Sequence, residues 1–227
     1  MRTGSIQPSA KTTACTVLRP GRVAYDEALE LQRTLHQEVA EGRRPETLLL
    51  LEHPHVFTLG RRGAGSDILA DENRLLELGV EVRHTDRGGQ ATYHGPGQIV
   101  GYPILNLRSR RSGPLEYVCA LERVIIDSLA EIGVSASSED RPTGVWAGDA
   151  KIAAIGVKVS RGVTMHGFAL NVDPDLSYFD CIIPCGMPDA EVTSIARELG
   201  RPVAVEVTMD KLTPHFERVF GVVASLG

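Results

Sequence analysis

Apolar positions at Ala24, Ala28, Leu31, Leu35 and Val39 recur at steps of three and four, the period of an amphipathic helix, and Gly42 ends it. Thr47 to Leu51 is a short continuous apolar run, the pattern of a strand buried on both faces. A polar helix from Asp71 to Leu78 stops at Gly79, and Val80 to Thr85 alternates as a strand does. The glycine-dense stretch Asp86 to Gln98 reads as a loop, followed by a strand over Ile99 to Leu107. Pro114 opens a helix whose apolar positions are Leu115, Val118, Cys119, Ile125, Ile126 and Leu129, ending at Gly133. Trp146 to Val172 is rich in β-branched residues and breaks at Arg161-Gly162, which predicts two or three adjacent strands with a hairpin there. Pro174 to Met187 is irregular, and Thr208 caps a last helix carrying Leu212, Phe216, Val219 and Phe220. Helices and strands interleave without a βαβ rhythm, so the fold class is α+β with a mixed or mostly antiparallel sheet. No linker or repeat divides the chain: a flexible segment over 1–22 precedes one catalytic-size domain over 23–227.

Composition narrows the function classes. The 227 residues are 42% hydrophobic and 23% charged, an ordinary globular balance, and no apolar run approaches the ~18 residues of a membrane span. A net charge of −5 argues against nucleic-acid binding driven by overall charge. Four cysteines, Cys15, Cys119, Cys181 and Cys185, are too few for a disulfide framework, and Met1 to Thr13 has no apolar signal core, so a cytoplasmic location is expected. The absence of acidic residues before Asp26 is faintly transit-peptide-like, but Gly4, Pro8 and Gly21 oppose an amphipathic helix there. Only four of the 24 basic residues are lysine, which makes Lys151 stand out.

Three features carry candidate chemistry. The stretch from Asp86 to Gln98 holds four glycines and a proline around Arg87, Tyr93, His94 and Gln98, which brings exposed main-chain N–H groups beside a cation and hydrogen-bonding heads. Lys151 begins the apolar strand Lys151-Ile152-Ala153-Ala154-Ile155-Gly156-Val157; burial disfavours an ammonium and lets such a group act as a base, although a strand-end lysine also commonly snorkels to water. Cys185 sits in Pro184-Cys185-Gly186, a turn that can present a thiol, while Cys119 reads as a small core hydrophobe. Cys181 and Cys185 make only a C-x3-C pair without a histidine partner, and His53 and His55 flank Pro54 in a loop, so no metal site is expected.

Together these segments resemble the octanoyl-[acyl carrier protein]:protein N-octanoyltransferases. The likeness rests on Arg87-Gly88-Gly89-x-x-Thr92-Tyr93-His94-x-x-Gly97-Gln98-x-Val100-x-Tyr102 and on Glu52-His53-Pro54-x-Val56-Phe57-Thr58-Leu59-Gly60-Arg61. It extends to Lys151-Ile152-Ala153-Ala154-Ile155-Gly156, His166-Gly167-Phe168-Ala169-Leu170-Asn171 and Pro184-Cys185-Gly186. The resemblance implies a fold like the biotin/lipoate protein ligase catalytic domain, with a mixed main sheet, a smaller sheet and flanking helices. It implies a catalytic dyad at Cys185 and Lys151. It also implies substrate-lining positions at Arg87, Gly88, Gly89, Gln90, Ala91, Thr92, Tyr93 and His94, at Ala154, Ile155 and Gly156, and at Gly167, Phe168 and Ala169.

The activity so implied moves an octanoyl group from octanoyl-acyl carrier protein to a lysine of a lipoyl domain through a cysteine thioester, with no cofactor. The acceptors implied are the lipoyl domains of 2-oxoacid dehydrogenase E2 subunits and the glycine cleavage H protein, with no nucleic-acid or membrane partner. Two rivals stand beside it: an ATP-dependent lipoate or biotin ligase, which needs no nucleophilic cysteine, and a non-catalytic acyl- or metal-binding protein. An acidic donor protein meets a chain that is itself negative, so docking is expected on local arginines, Arg61-Arg62 and Arg108, Arg110 and Arg111, around the mouth of one pocket.

Overall fold

The structure, a computed structural model, describes residues 13–183 and 191–227. Among the described residues ten strands and five α-helices follow one another as β1 (Thr13–Leu18), α1 (Tyr25–Ala40), β2 (Glu46–Leu51), β3 (Val56–Leu59), α2 (Glu72–Leu78), β4 (Glu81–His84), β5 (Ala91–His94), β6 (Gln98–Ile104), α3 (Pro114–Ile132), β7 (Val145–Ala147), β8 (Ala150–Ser160), β9 (Val163–Asn171), α4 (Ile195–Leu199), α5 (Val205–Phe220) and β10 (Val222–Leu226). Seven strands form the main sheet in the order β10-β1-β2-β6-β9-β8-β7, parallel among β10, β1 and β2 and antiparallel from β2 onward. The small sheet is β4-β3-β5. This is the mixed, two-sheet α+β architecture that the alternation of patterns predicts.

Helices cover both faces of the main sheet, which is why its central strands are apolar throughout. Leu48, Leu50 and Ile99 pack with Tyr117, Leu121 and Val124 of α3 and with Phe216 and Phe220 of α5. Their strand neighbours Leu49, Leu51 and Val100 point the other way, against Ala28, Leu35 and Val39 of α1. A third cluster sits on the small sheet around Phe57, Leu59, Tyr93 and Phe179.

The sequence reading needs four corrections. Within the segment 1–22, read as flexible, Thr13–Leu18 is a strand bonded on both edges, with Cys15 and Val17 in the core; residues 1–12 lie outside the described residues. The glycine-dense stretch is not loop throughout, because Ala91–His94 forms β5. Thr208 is not a cap: α5 begins three residues earlier at Val205, with Ala204 in the cap position, and the Thr208 hydroxyl donates back to the Ala204 carbonyl at 3.2 Å. Leu115 is exposed, since the buried face of α3 centres on Tyr117, Leu121, Val124 and Ser128. The Arg161-Gly162 hairpin is as expected, a two-residue loop with both φ values positive (53° and 80°) joining β8 to β9.

Candidate active site

The period of two along β5 divides the glycine-rich motif. Thr92 and His94 face a cavity, whereas Ala91 and Tyr93 face the small-sheet cluster, where Tyr93 packs against Phe57, Tyr178 and Phe179 and its hydroxyl meets His55 Nδ1 at 2.9 Å. Arg87 is buried, and its guanidinium works as a clamp. Nη2 donates to the Thr58 carbonyl (2.7 Å), the Thr58 hydroxyl (2.8 Å) and the Gln90 carbonyl (2.9 Å), and Nη1 donates to the Gly88 carbonyl (3.0 Å). The loop is seated on β8 by the Gly88 N–H, which donates to the Val157 carbonyl at 2.9 Å. That approach requires Gly156, because a Cβ there would stand 2.8 Å from the Gly88 carbonyl oxygen.

The cavity lies between this loop and the β8–β9 pair. Of the expected substrate-lining residues, Arg87, Gly89, Thr92, His94, Ala154, Ile155, Gly156, Gly167, Phe168 and Ala169 line it; Gly88, Gln90, Ala91 and Tyr93 do not. Register explains the grouping: Ala154, Ile155 and Gly156 stand opposite Ala169, Phe168 and Gly167. Tyr25, Val100, Tyr102 and His166 complete the wall. Sequence reasoning missed these as lining residues, although Val100, Tyr102 and His166 fall inside the motifs and only Tyr25 carries no local signal.

Three buried imidazoles are held in defined tautomers. His53 Nδ1 donates to the Val23 carbonyl (2.6 Å), so its Nε2 accepts from the Tyr102 hydroxyl (2.8 Å), and burial pulls its pKa down to about 4. His94 Nδ1 donates to Gln98 Oε1 (2.8 Å), and the Gln98 amide in turn donates to Asn171 Oδ1 (2.9 Å); burial holds this ring well below the ordinary histidine value. His166 Nε2 donates to Asp86 Oδ1 (2.7 Å), with its pKa lowered by burial against the pull of Asp86. Among the described residues no three His, Cys, Asp or Glu side chains gather as a metal site.

Lys151, at the other end of the lining strand, is 5% exposed. Its Nζ stands 4.8 Å from the centroid of the Trp146 ring and 3.4 Å from the Thr143 carbonyl. Gly144, at φ 134°, lets the chain pass: a Cβ would lie 2.7 Å from the Ala153 carbonyl oxygen and 3.2 Å from Lys151 Cε. The Lys151 main chain is bonded on its open side, its N–H to the Glu191 carbonyl (2.8 Å) and its carbonyl to the Thr193 N–H (3.0 Å). Cys185 lies outside the described residues, and Cys15 and Cys181 are free thiols.

Residues 24–217 match the family described as the lipoyl protein ligase A/B catalytic domain. An octanoyltransferase of Solibacter usitatus is 49% identical over 206 residues, spanning 91% of this chain and 93% of its own. Among solved structures, lipoate-protein ligase A bound with ATP superposes with a TM-score of 0.72 at 15% identity, over 96% of this chain and 89% of that one. A bipartite lipoate protein ligase from Thermoplasma acidophilum, described with its E2 lipoyl domain, gives 0.68 at 15% identity, over 95% and 86%. These two likenesses carry the fold.

Proposed function

The chain belongs to the lipoyl protein ligase A/B catalytic-domain family, and from that premise we propose that it transfers an octanoyl group to a lysine of lipoyl-domain proteins by way of a thioester on Cys185. The observation that carries the reading is the cavity itself, whose wall of Ala154, Ile155, Phe168 and Ala169 runs along β8 and β9 from three residues past the buried Lys151. Such a trough suits an acyl chain with its reacting carbon at the Lys151 end. The octanoyltransferases that cover the same length of sequence support the same acyl group.

In the mechanism, Lys151 takes the proton of the Cys185 thiol and, as an ammonium, stabilises the thiolate. The thiolate attacks the thioester carbon of the donor, an octanoyl-acyl carrier protein. The tetrahedral oxyanion collapses, the bond to the carrier's sulfur breaks, and that sulfur takes the proton back from Lys151. A lipoyl-domain lysine amine then attacks the acyl-cysteine, Lys151 accepts its proton, and the Cys185 thiolate leaves. Exchange of a thioester for an amide runs downhill, so neither nucleotide nor metal enters. The free thiols Cys15 and Cys181 suit a reducing cytoplasm.

Intact-mass measurement after mixing the protein with octanoyl-acyl carrier protein, without nucleotide, tests the proposal. One octanoyl adduct, mapped to Cys185 and discharged onto a lipoyl domain, is the expected result. Transfer that requires ATP makes the protein a ligase, and an unmodified protein that merely retains the acyl chain makes it a binder.

A further inference from the structure

One group in the cavity wall has no place in that mechanism. His166 is 1% exposed, and its Nδ1 has no hydrogen-bond partner among the described residues. It lies on β9 opposite Val157, six residues beyond Lys151 along β8, or about 20 Å at roughly 3.3 Å per residue. The Lys151 side chain leans along β8 toward it, because Nζ lies 3.4 Å from the carbonyl of Thr143, two residues before the Val145 that stands opposite Ala153. The reacting carbon therefore falls near the Ala154–Ala169 pair, and His166 stands at the far end of the trough. Its backbone has φ 55°, an unusual conformation for a non-glycine residue inside a strand, and its N–H leaves the ladder to bond Gln32 Oε1 of α1 at 2.9 Å. The ring is fixed from the other side by Asp86, whose second oxygen takes Lys158 Nζ at 2.5 Å. Burial alone would raise the Asp86 carboxyl, but the hydrogen bonds and charges of Lys158 and His166 outweigh it and hold it at about 2. Strain, a diverted N–H and a charge-assisted clamp all fix one imidazole at one place.

That place is where the lined trough ends. From the Ala154–Ala169 pair to the Val157–His166 pair are three strand steps, about 10 Å. An extended eight-carbon acyl chain, at about 1.25 Å per bond along the zigzag, spans about 9 Å. We propose that His166, clamped by Asp86 and Lys158, is the end stop of the acyl cavity and sets its chain-length limit near eight carbons. The proposal rests on the acyl-transfer reading above. A longer chain must push the ring off Asp86 and break that charge-assisted hydrogen bond, at a cost on the order of tenfold in affinity or more. Up to the limit, each added methylene gains about fourfold through burial.

The test is the kcat/KM profile over hexanoyl, octanoyl, decanoyl and dodecanoyl pantetheine, with the acyl-enzyme read by intact mass. His166→Asn shortens the side chain while tolerating φ near 55°, and Asp86→Ala releases the ring without altering the wall. The wild type should peak at octanoyl. The decanoyl-to-octanoyl ratio should rise at least tenfold in His166→Asn, and by a smaller factor in Asp86→Ala. An unmoved ratio in both variants overturns the end stop, as does a loss equal at every length, hexanoyl included. Should His166→Asn fail to fold, the ratio in Asp86→Ala decides alone. If the wild type forms no acyl-enzyme with any donor, it is the acyl-transfer reading that falls instead.

Discussion

The β8–β9 pair makes two polar ends around one apolar middle, and it fixes them by different means. At the Lys151 end the backbone does the fixing: strand pairing to β7 on one side and bonds to Glu191 and Thr193 on the other aim the side chain at Trp146. At the His166 end the side chains do it, through Asp86, Lys158 and Gln32, around a backbone that has left the regular strand conformation. Backbone bonds survive substitution of a side chain, so changes at the Lys151 end should strike the chemistry and spare the shape. Changes at the His166 end should alter which chains fit.

The largest effects therefore belong to the first end. Cys185→Ala should abolish both acyl-enzyme formation and transfer, while Cys181→Ala and Cys119→Ala retain activity; peptide mapping of the acyl group checks this, and an adduct on Cys181 alone reverses the assignment. Lys151→Arg should be nearly as damaging as Lys151→Ala, a loss of about 10²–10⁴ in kcat, because arginine keeps the charge but never gives up its proton. If single-turnover kinetics of the arginine variant retain most of the rate, Lys151 supplies charge alone.

Acid should weaken the fold around the cavity. His53, His94 and His166 all have folded pKa values pulled below their unfolded value, chiefly by burial. The unfolded chain then binds more protons than the folded one, so stability is full above about pH 6.5 and falls as the pH drops through the folded values. With His53 at about 4, this residue alone costs about 3 kcal/mol between pH 6.5 and pH 4. Urea unfolding across that range measures it. His53→Gln should flatten the slope, and an unchanged slope would place the protonation elsewhere.

Much of this was legible in the residues. Continuous apolar runs gave β2 and the middle of the sheet, and punctuation by Gly79, Gly133 and Arg161-Gly162 gave the ends of α2, α3 and β8. Other features were hidden because their causes are not local. β1 is a strand because β10, more than two hundred residues away, and β2 flank it. Tyr25 reaches the cavity only because α1 packs across the sheet, and the glycine-rich motif disguised the two faces of β5. His166 stood inside a motif, but nothing in the spelling of His166-Gly167 announces a positive φ.

The smallest effect concerns how the donor finds the cavity, and here the structure separates two arginine clusters that look alike in the sequence. Arg110 is buried, paired with Glu46 and donating to the Phe220 carbonyl, so it serves the core and not a docking rim. Its neighbour Arg108 packs against Gly162 at the β8–β9 hairpin, past the His166 end. Arg61 and Arg62 are exposed, and their backbone N–H groups bond the carbonyls of Arg87 (3.0 Å) and Gly89 (3.1 Å), two residues of the cavity wall. An acidic carrier protein is thus expected to dock on Arg61 and Arg62. Exposed charges act on encounter and are screened by salt, with a Debye length of about 3 Å at 1 M. Reversing both to glutamate should raise KM for the carrier-bound donor several-fold at low salt, shrink in effect as salt rises, and leave an octanoyl pantetheine thioester untouched. Arg108→Glu should change neither donor. Equal losses on both donors would mean that the Arg61-Arg62 turn shapes the Arg87–Gly89 loop instead of receiving a partner, and a loss confined to Arg108→Glu would move the docking surface to the hairpin end.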